Sequence, residues 1–417
     1  MKKIANILAP ASIGIPTAGH SKEDICQQFE MILRYYQQVG HDQCLPSYGL
    51  YSGKAGIVLL HALLLQATAD EKYYYLIKEG LDHIIENIEH SPLQPFFSNG
   101  LAGVGWLLLY LNEKNILDIN SDLFLEKIDA SLETSLDLLL QQRNFDPIMG
   151  ATGIALYFLK RNNAVVLERM IRTLENFCIR LNDEIIWTHQ SAYEDNRLIP
   201  FGLGQGNAGI VFFLSKCCNK GILTPVCLQL VRGGFQFFEA NLQNLDVSRS
   251  IFPSHKYEKG YLGSKDHQYA RLGWLYGDIG ILFSLYRSAT LLNDDARAAQ
   301  YLGRLVESTR RKNRSVTGVD DAGLCFGSSG IGYIYLKLYK TTGIPVFKDS
   351  FKFWMAETLT FGRNGNGPAG FLFQGSAATH PDQSALLTGL GGVALFYASY
   401  VYNELSFNNW DECLLLS

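Results

Sequence analysis

Trp274-Leu275-Tyr276-Gly277-Asp278-Ile279-Gly280-Ile281-Leu282-Phe283-Ser284-Leu285 carries the signal that decides the fold. Its core is a pair of glycines three apart, then isoleucine, then an apolar run. The same string, with Ile or Val after the second glycine, occurs seven times. The copies are Gly53–Gly56–Ile57, Gly100–Gly103–Val104, Gly150–Gly153–Ile154, Gly206–Gly209–Ile210, Gly277–Gly280–Ile281, Gly327–Gly330–Ile331 and Gly389–Gly392–Val393. They start 47, 50, 56, 71, 50 and 62 residues apart. A signal recurring at about this period marks a repeat architecture.

Each string leads into ten to twelve residues that are apolar nearly all round, such as Ile57-Val58-Leu59-Leu60 and Val211-Phe212-Phe213-Leu214. That pattern suits a helix buried on most faces. Between the strings, Lys22 to Gln38, Asp122 to Gln141, Asn163 to Leu181 and Ala296 to Arg311 interleave polar residues at helical spacing, as half-exposed outer helices do. The unit reads as outer helix, loop, glycine string, inner helix. Seven units predict an all-α protein: an α/α barrel, or toroid, of seven helical hairpins and fourteen helices, forming one domain over residues 1–417. Residues 1–20 read as an extended N-terminal arm, and residues 241–271 and 360–383 as long loops, each with a short hairpin. A glycine within a helix is less favourable than alanine by about 1 kcal/mol, so the fourteen glycines need a reason. Two fit: a positive φ in the turn into the inner helix, and close convergence of inner helices at one end of the ring.

The chain has 417 residues, 47% hydrophobic and 18% charged, which excludes extensive disorder. A net charge of −4 without a basic run argues against nucleic acid and anionic membranes as partners. Eight cysteines are scattered without a CxxC pair, which points to a reducing compartment rather than a disulfide framework. Asn6 and Pro10 break the only stretch resembling a signal peptide, and no apolar run reaches the ~18 residues of a membrane span. The expected location is cytoplasmic.

If the strings open seven inner helices, the residues just before them rim a common mouth, where ligand sites form by preference. The last residues before the first glycines are Ser52, Asn99, Met149, Gln205, Tyr276, Phe326 and Thr388. Those one further back are Tyr51, Ser98, Ile148, Gly204, Leu275, Cys325 and Leu387. Asp146 and Arg271 lie four and six residues before their glycines, and Lys54 and Asp278 directly follow theirs. An acid, an arginine and a thiol at one mouth suggest chemistry there.

Seven Gly-x-x-Gly-[Ile/Val] strings from about Gly49 to Tyr400 resemble the lanthionine synthetase C-like family, the cyclases of lanthipeptide biosynthesis. Other α/α toroids usually have six hairpins and lack the string. The resemblance implies a fourteen-helix barrel. It also implies a site in which zinc helps a peptide cysteine add across a dehydroalanine or dehydrobutyrine. The family's zinc ligands lie in a Trp-Cys-x-Gly string and a Cys-His-Gly string. A proton-transfer histidine lies in a His-Gly-x-x-Gly string, with an Asp in Asp-x-x-x-Gly and an Arg four residues before the first Cys. Here Trp274-Leu275-Tyr276-Gly277 has leucine for the first ligand, Cys325-Phe326-Gly327 has phenylalanine for the histidine, and Gln205-Gly206 has glutamine for the proton-transfer histidine. Asp146 and Arg271 are retained. Catalytic zinc needs three protein ligands, so no metal and no other cofactor is expected unless His189, His255 or His267 rebuilds the site.

Three functions remain open. In the first, the barrel binds a dehydrated or otherwise modified ribosomal peptide and catalyses a zinc-free addition, cyclisation or elimination. Asp146, Arg271, Gln205 and Cys325 are then the catalytic candidates, and Tyr276, Phe326, Leu275, Asn99 and Trp274 line the substrate. In the second, the barrel is a scaffold that binds a precursor peptide, a dehydratase or another maturation enzyme without turnover; Leu275 and Phe326 favour it. In the third, Asp146 and Asp278 serve as the two carboxylates of a carbohydrate hydrolase.

Overall fold

The computed structural model describes residues 21–44, 47–90, 93–117, 122–190, 197–257, 269–373, 381–402 and 408–417. The residues read as an N-terminal arm, His267, and parts of both long loops lie outside them.

Seven inner helices start directly after the seven first glycines: α2 (Lys54–Thr68), α4 (Leu101–Glu113), α6 (Ala151–Arg161), α8 (Asn207–Asn219), α10 (Asp278–Leu291), α13 (Ser328–Thr342) and α15 (Leu390–Val401). They touch in that cyclic order and α15 returns to α2, closing a ring. Seven outer helices surround it: α1 (Lys22–Cys44), α3 (Lys72–His90), α5 (Asp122–Gln141), α7 (Ala164–Phe177), α9 (Thr224–Ala240), α11 (Asp295–Ser308) and α14 (Pro345–Asn364). One further turn, α12 (Arg314–Thr317), precedes α13. The inner helices bury nearly every residue, as α2 does from Lys54 to Leu64. The outer ones bury one stripe: α7 buries Val166, Leu167, Met170, Ile171 and Leu174, and its Asn163 cap accepts a bond from the Val166 amide at 3.2 Å.

The pairing differs from the expected unit by half a repeat. Each inner helix packs against the outer helix that follows it, and α15 is covered by α1 from the far end of the sequence. Amphipathic faces say that a helix covers something, not which neighbour it covers. Boundaries also shift: the helix read to Gln38 runs on to Cys44, and the one read to Arg311 ends at Ser308. The stretch read as helix to Leu181 ends at Phe177 and continues as strand β1 (Ile179–Leu181), paired antiparallel with β2 (Glu184–Ile186). Strands β3 (His189–Gln190), β4 (Arg197–Pro200) and β5 (His255–Tyr257) form a second small antiparallel sheet, so the hairpin expected within 241–271 has its partner outside that loop. The loop expected from residue 360 is helical to Asn364.

The glycines serve close approach more than unusual torsions. Six of the seven first glycines have φ between −93° and −148°; only Gly206, at +152°, needs glycine for its backbone. None of these helices has a side-chain cap. Instead the preceding loop arcs over the helix start and offers carbonyls seven residues upstream to the first amides. Examples are Lys54 N to Ser47 O, Asp278 N to Arg271 O and Ser328 N to Asp321 O, each at 3.0 Å. A Cβ on the capping glycine would strike that loop; at Gly100 it would sit 1.8 Å from Gln94 O. The second glycine receives the carbonyl six residues upstream in every repeat, from 1.9 Å (Gly330, Leu324 O) to 2.8 Å (Gly153, Pro147 O) for an added Cβ. In several repeats the same upstream residue lays its side chain on the next repeat's glycine, as Leu50 does on Gly103 and Leu324 on Gly392. The expected convergence is therefore built from loops as well as helices.

Candidate functional site at the barrel mouth

Backbone hydrogen bonds tie the loop ends into a ring at the mouth. The amide of Tyr51 donates to Ser98 O, Ser98 to Ile148 O, Gly204 to Leu275 O, Leu275 to Cys325 O, Cys325 to Leu387 O and Leu387 to Tyr51 O, at 2.7 to 3.4 Å. These are the equivalent residues of successive repeats, two before each first glycine. All seven are buried, whereas the residues one before each glycine are half-buried or, for Thr388, exposed. The rim thus presents Ser52, Asn99, Met149, Gln205, Tyr276, Phe326 and Thr388 to the outside.

The ring is interrupted once. Between Ile148 and Gly204 the amide of Ile148 donates instead to Asp146 Oδ1 at 2.7 Å, and the Met149 amide donates to the same oxygen at 2.7 Å. Asn144 supports this turn by accepting from the Asp146 amide at 3.2 Å. Oδ2 of Asp146 takes no hydrogen bond among the described residues. Burial pushes the Asp146 carboxyl up to about 6, against the pull of the Met149 and Ile148 amides.

The repeats that follow bring the other site residues beside it. Leu275 and Cys325 are joined by the backbone bond at 3.4 Å. The Leu275 side chain points at Gly204, where an added Cβ would meet its Cδ1 at 2.3 Å and Ile148 Cδ1 at 2.9 Å. The rings of Tyr276 and Phe326 lie 5.5 Å apart, and the Arg271 guanidinium stands 5.6 Å from the Phe326 centroid. Arg271 is exposed and donates to Gly318 O at 2.9 Å; Gly318 ends α12 at φ +68° and leaves room for the arginine stem. Tyr276 is pushed up to about 12 by burial first, with the nearby Cys325 and Asp146 adding and Arg271 opposing. Cys325 is 4% exposed, and burial pushes its thiol well up, with Asp321 adding and Arg271 opposing.

Asp146, Gln205, Arg271, Leu275, Tyr276, Cys325 and Phe326 therefore share one side of the mouth. Asn99 sits on the rim one repeat before Asp146; the neighbouring Ser98 hydroxyl donates to Met149 Sδ at 2.6 Å. Trp274 is elsewhere. It is fully buried below the rim, crosses Tyr51 edge-on at 6.1 Å and donates from Nε1 to Leu414 O at 2.9 Å, so it supports the wall rather than lining a substrate surface. Asp278 also turns away. It is fully buried, accepts from the Ile251 and Phe252 amides at 2.7 and 3.0 Å, and pairs with Arg311 at 2.6 Å. The two-carboxylate reading for sugar hydrolysis loses its second carboxylate at that point. Lys54 is buried against His83. The Arg311 guanidinium also donates to the carbonyls of Ala270, Arg271 and Val316, which fixes the loop carrying Arg271. Nothing in the local sequence signalled that role for Arg311.

Among the described residues the donor set at the mouth does not fit a zinc ion. One thiol, closed in and held protonated, stands among a leucine and a phenylalanine. Among the described residues no three His, Cys, Asp or Glu side chains gather. His189 lies on β3, its Nε2 buried without a hydrogen-bond partner and its imidazole pushed down to about 4 by burial.

A closed ring of inner helices sheathed by outer ones, with its polar constellation at the loop-bearing end, defines a seven-hairpin α/α toroid. A family model described as lanthionine synthetase C-like protein matches residues 46–415, and the chain belongs to that family. Among solved structures, a chain titled nisin cyclase superposes with a TM-score of 0.74 at 18% identity, covering 95% of this chain and 98% of that one. No curated protein matches the sequence. Among the described residues no helix is long and apolar enough to cross a membrane.

Proposed function

We propose that this protein matures a ribosomally made peptide of the lanthipeptide type, binding the modified peptide at the barrel mouth and catalysing a zinc-independent addition, cyclisation or elimination. In the addition, the Asp146 carboxylate takes the proton of a peptide thiol. The sulfur attacks the β-carbon of a dehydroalanine or dehydrobutyrine, and the electron pair moves onto the adjacent carbonyl as an enolate. Arg271 stabilises that oxygen, Gln205 donates a hydrogen bond to the peptide, and Asp146 returns the proton to the α-carbon. Leu275, Tyr276, Phe326 and Asn99 shape the surface around the reacting residues. Cys325, closed and protonated, serves as wall rather than nucleophile.

The observation that carries this reading is Asp146. It is a buried carboxyl held by two amides through one oxygen, poised near neutral pH at the one break in the rim. A general base works best with a pKa near the working pH. The test incubates the purified protein with a dehydrated precursor peptide and follows loss of free thiol. Turnover that survives metal depletion and disappears in Asp146→Asn supports the proposal. Stoichiometric zinc in the purified protein, or turnover only after zinc addition, overturns it.

The packing of Leu275 against Gly204 and Ile148 favours a second reading, a scaffold that binds the peptide or a partner such as a dehydratase without turnover. Equal, tight peptide binding by the parent and Asp146→Asn, with no thiol lost in either, would select it.

A further inference from the structure

Below the rim, residues 410–416 run inside the barrel. Trp410 to Leu414 form a turn of 3-10 helix, and Trp410, Asp411, Cys413, Leu414, Leu415 and Leu416 are each at most 2% exposed. The walls around them carry a belt of cations. Lys160, Lys216, Arg287 and Lys337 are each the tenth residue of their helices, α6, α8, α10 and α13, which are consecutive around the ring. At 1.5 Å per residue the belt lies about 15 Å below the rim. Asp411 accepts from the Tyr333 hydroxyl at 2.7 Å and pairs with Lys337. Glu412 accepts from Lys160 and Lys216, each at 3.0 Å, and Lys216 also reaches Ser417 O at 2.8 Å. Nearer the rim, Tyr51 donates to Cys413 O and Trp274 to Leu414 O. The Nε of Arg287 is buried without a hydrogen-bond partner, so the belt holds more donor capacity than the two acids use.

We propose that the barrel axis is a binding channel for a peptide segment with an acidic pair followed by apolar residues, and that residues 410–416 of this chain occupy it. The belt selects the acids, the apolar inner faces accept the leucines, and Tyr51 and Trp274 read the segment's carbonyls. The occupied channel floors the mouth, because the groups that bind the carbonyls, Tyr51 and Trp274, hang below the rim from two of the loops that form it.

The test uses the full chain carrying D411N/E412Q, which keeps side-chain shape and removes both charges. Amide hydrogen exchange across residues 410–417 is expected to accelerate at least tenfold over the parent, with α2 and α4 unchanged. A synthetic peptide of residues 408–417 is expected to bind this variant, while the parent, whose channel is filled, does not take it up. The same peptide with Asn and Gln for its acids should bind neither. Equal exchange in parent and variant, or equal binding of the charged and neutral peptides, overturns the proposal. Should D411N/E412Q fail to fold, E412Q alone is read by the same exchange measurement, and unchanged protection of residues 412–417 overturns it equally.

Discussion

Asp146→Asn should make the protein more stable at neutral pH, not less. The carboxyl is lifted from an ordinary 3.8 to about 6 by burial. At ~1.4 kcal/mol per pH unit, holding it ionised in the fold at pH 7 costs about 3 kcal/mol relative to the unfolded chain. The sign follows from proton binding. Below pH ~4 both states carry the proton and nothing is lost. Between about 4 and 6 the folded state binds more proton than the unfolded one, so stability falls as pH rises; above about 6 the loss is complete. Asparagine keeps an oxygen for the Ile148 and Met149 amides and carries no charge. With ~2.1 cal/mol/K of unfolding entropy per residue over 417 residues, the gain at pH 7 is about 3 °C in Tm. Thermal unfolding of parent and variant by circular dichroism, from pH 4 to 8 in matched buffers, isolates this group, because every other carboxyl is common to both. The Tm difference should be near zero at pH 4 and rise through pH 6 to its plateau. A flat difference, or a parent more stable than the variant at pH 7, would refute the reasoning. It would mean that the two amides outweigh burial and that the acid is an ordinary loop-stabilising carboxylate. A carboxyl that reduces stability where it stands is easier to understand as one kept for chemistry.

Asp278→Asn should lower stability by about 3–5 kcal/mol, read as a shift in the urea midpoint, because it leaves Arg311 buried without its counter-charge. Gly330→Ala, whose Cβ would sit 1.9 Å from Leu324 O, should fail to give soluble folded protein. Gly303→Ala, on α11 with nothing within 4 Å, should raise stability by about 0.5–1 kcal/mol in the same unfolding assay. Alkylation by iodoacetamide at pH 8, followed by mass spectrometry, should label the half-buried Cys26 and Cys178 in the native protein. It should reach Cys325 and Cys413 only after unfolding; native labelling of Cys325 would reopen it as a nucleophile.

The ring was legible because the feature that builds it is local. A loop that caps its own helix with carbonyls seven residues back must pass over a residue without a side chain. The requirement therefore prints itself as a glycine pair at fixed spacing in each repeat. The rim followed by counting back from those glycines, and so did the meeting of Leu275, Cys325 and Phe326. What did not follow depends on partners far apart in sequence. The seam between α15 and α1 needs the two ends of the fold, and the strand beyond Phe177 needs β2 to pair with. Trp410-Asp411-Glu412-Cys413 reads by itself as a solvated acidic stretch. Its burial depends on lysines from three helices, and their shared register was open to the same counting: each stands ten residues after its first glycine. The count that located the mouth thus also locates the cationic belt about 15 Å beneath it. The two layers are joined by Tyr51 and Trp274, which belong to the rim loops and donate to the segment seated on the belt. A change at the belt should therefore be felt at the rim through those two side chains, whereas Asp146, although it precedes the helix that carries Lys160, is bonded only to its own turn, and a change there should leave the belt undisturbed.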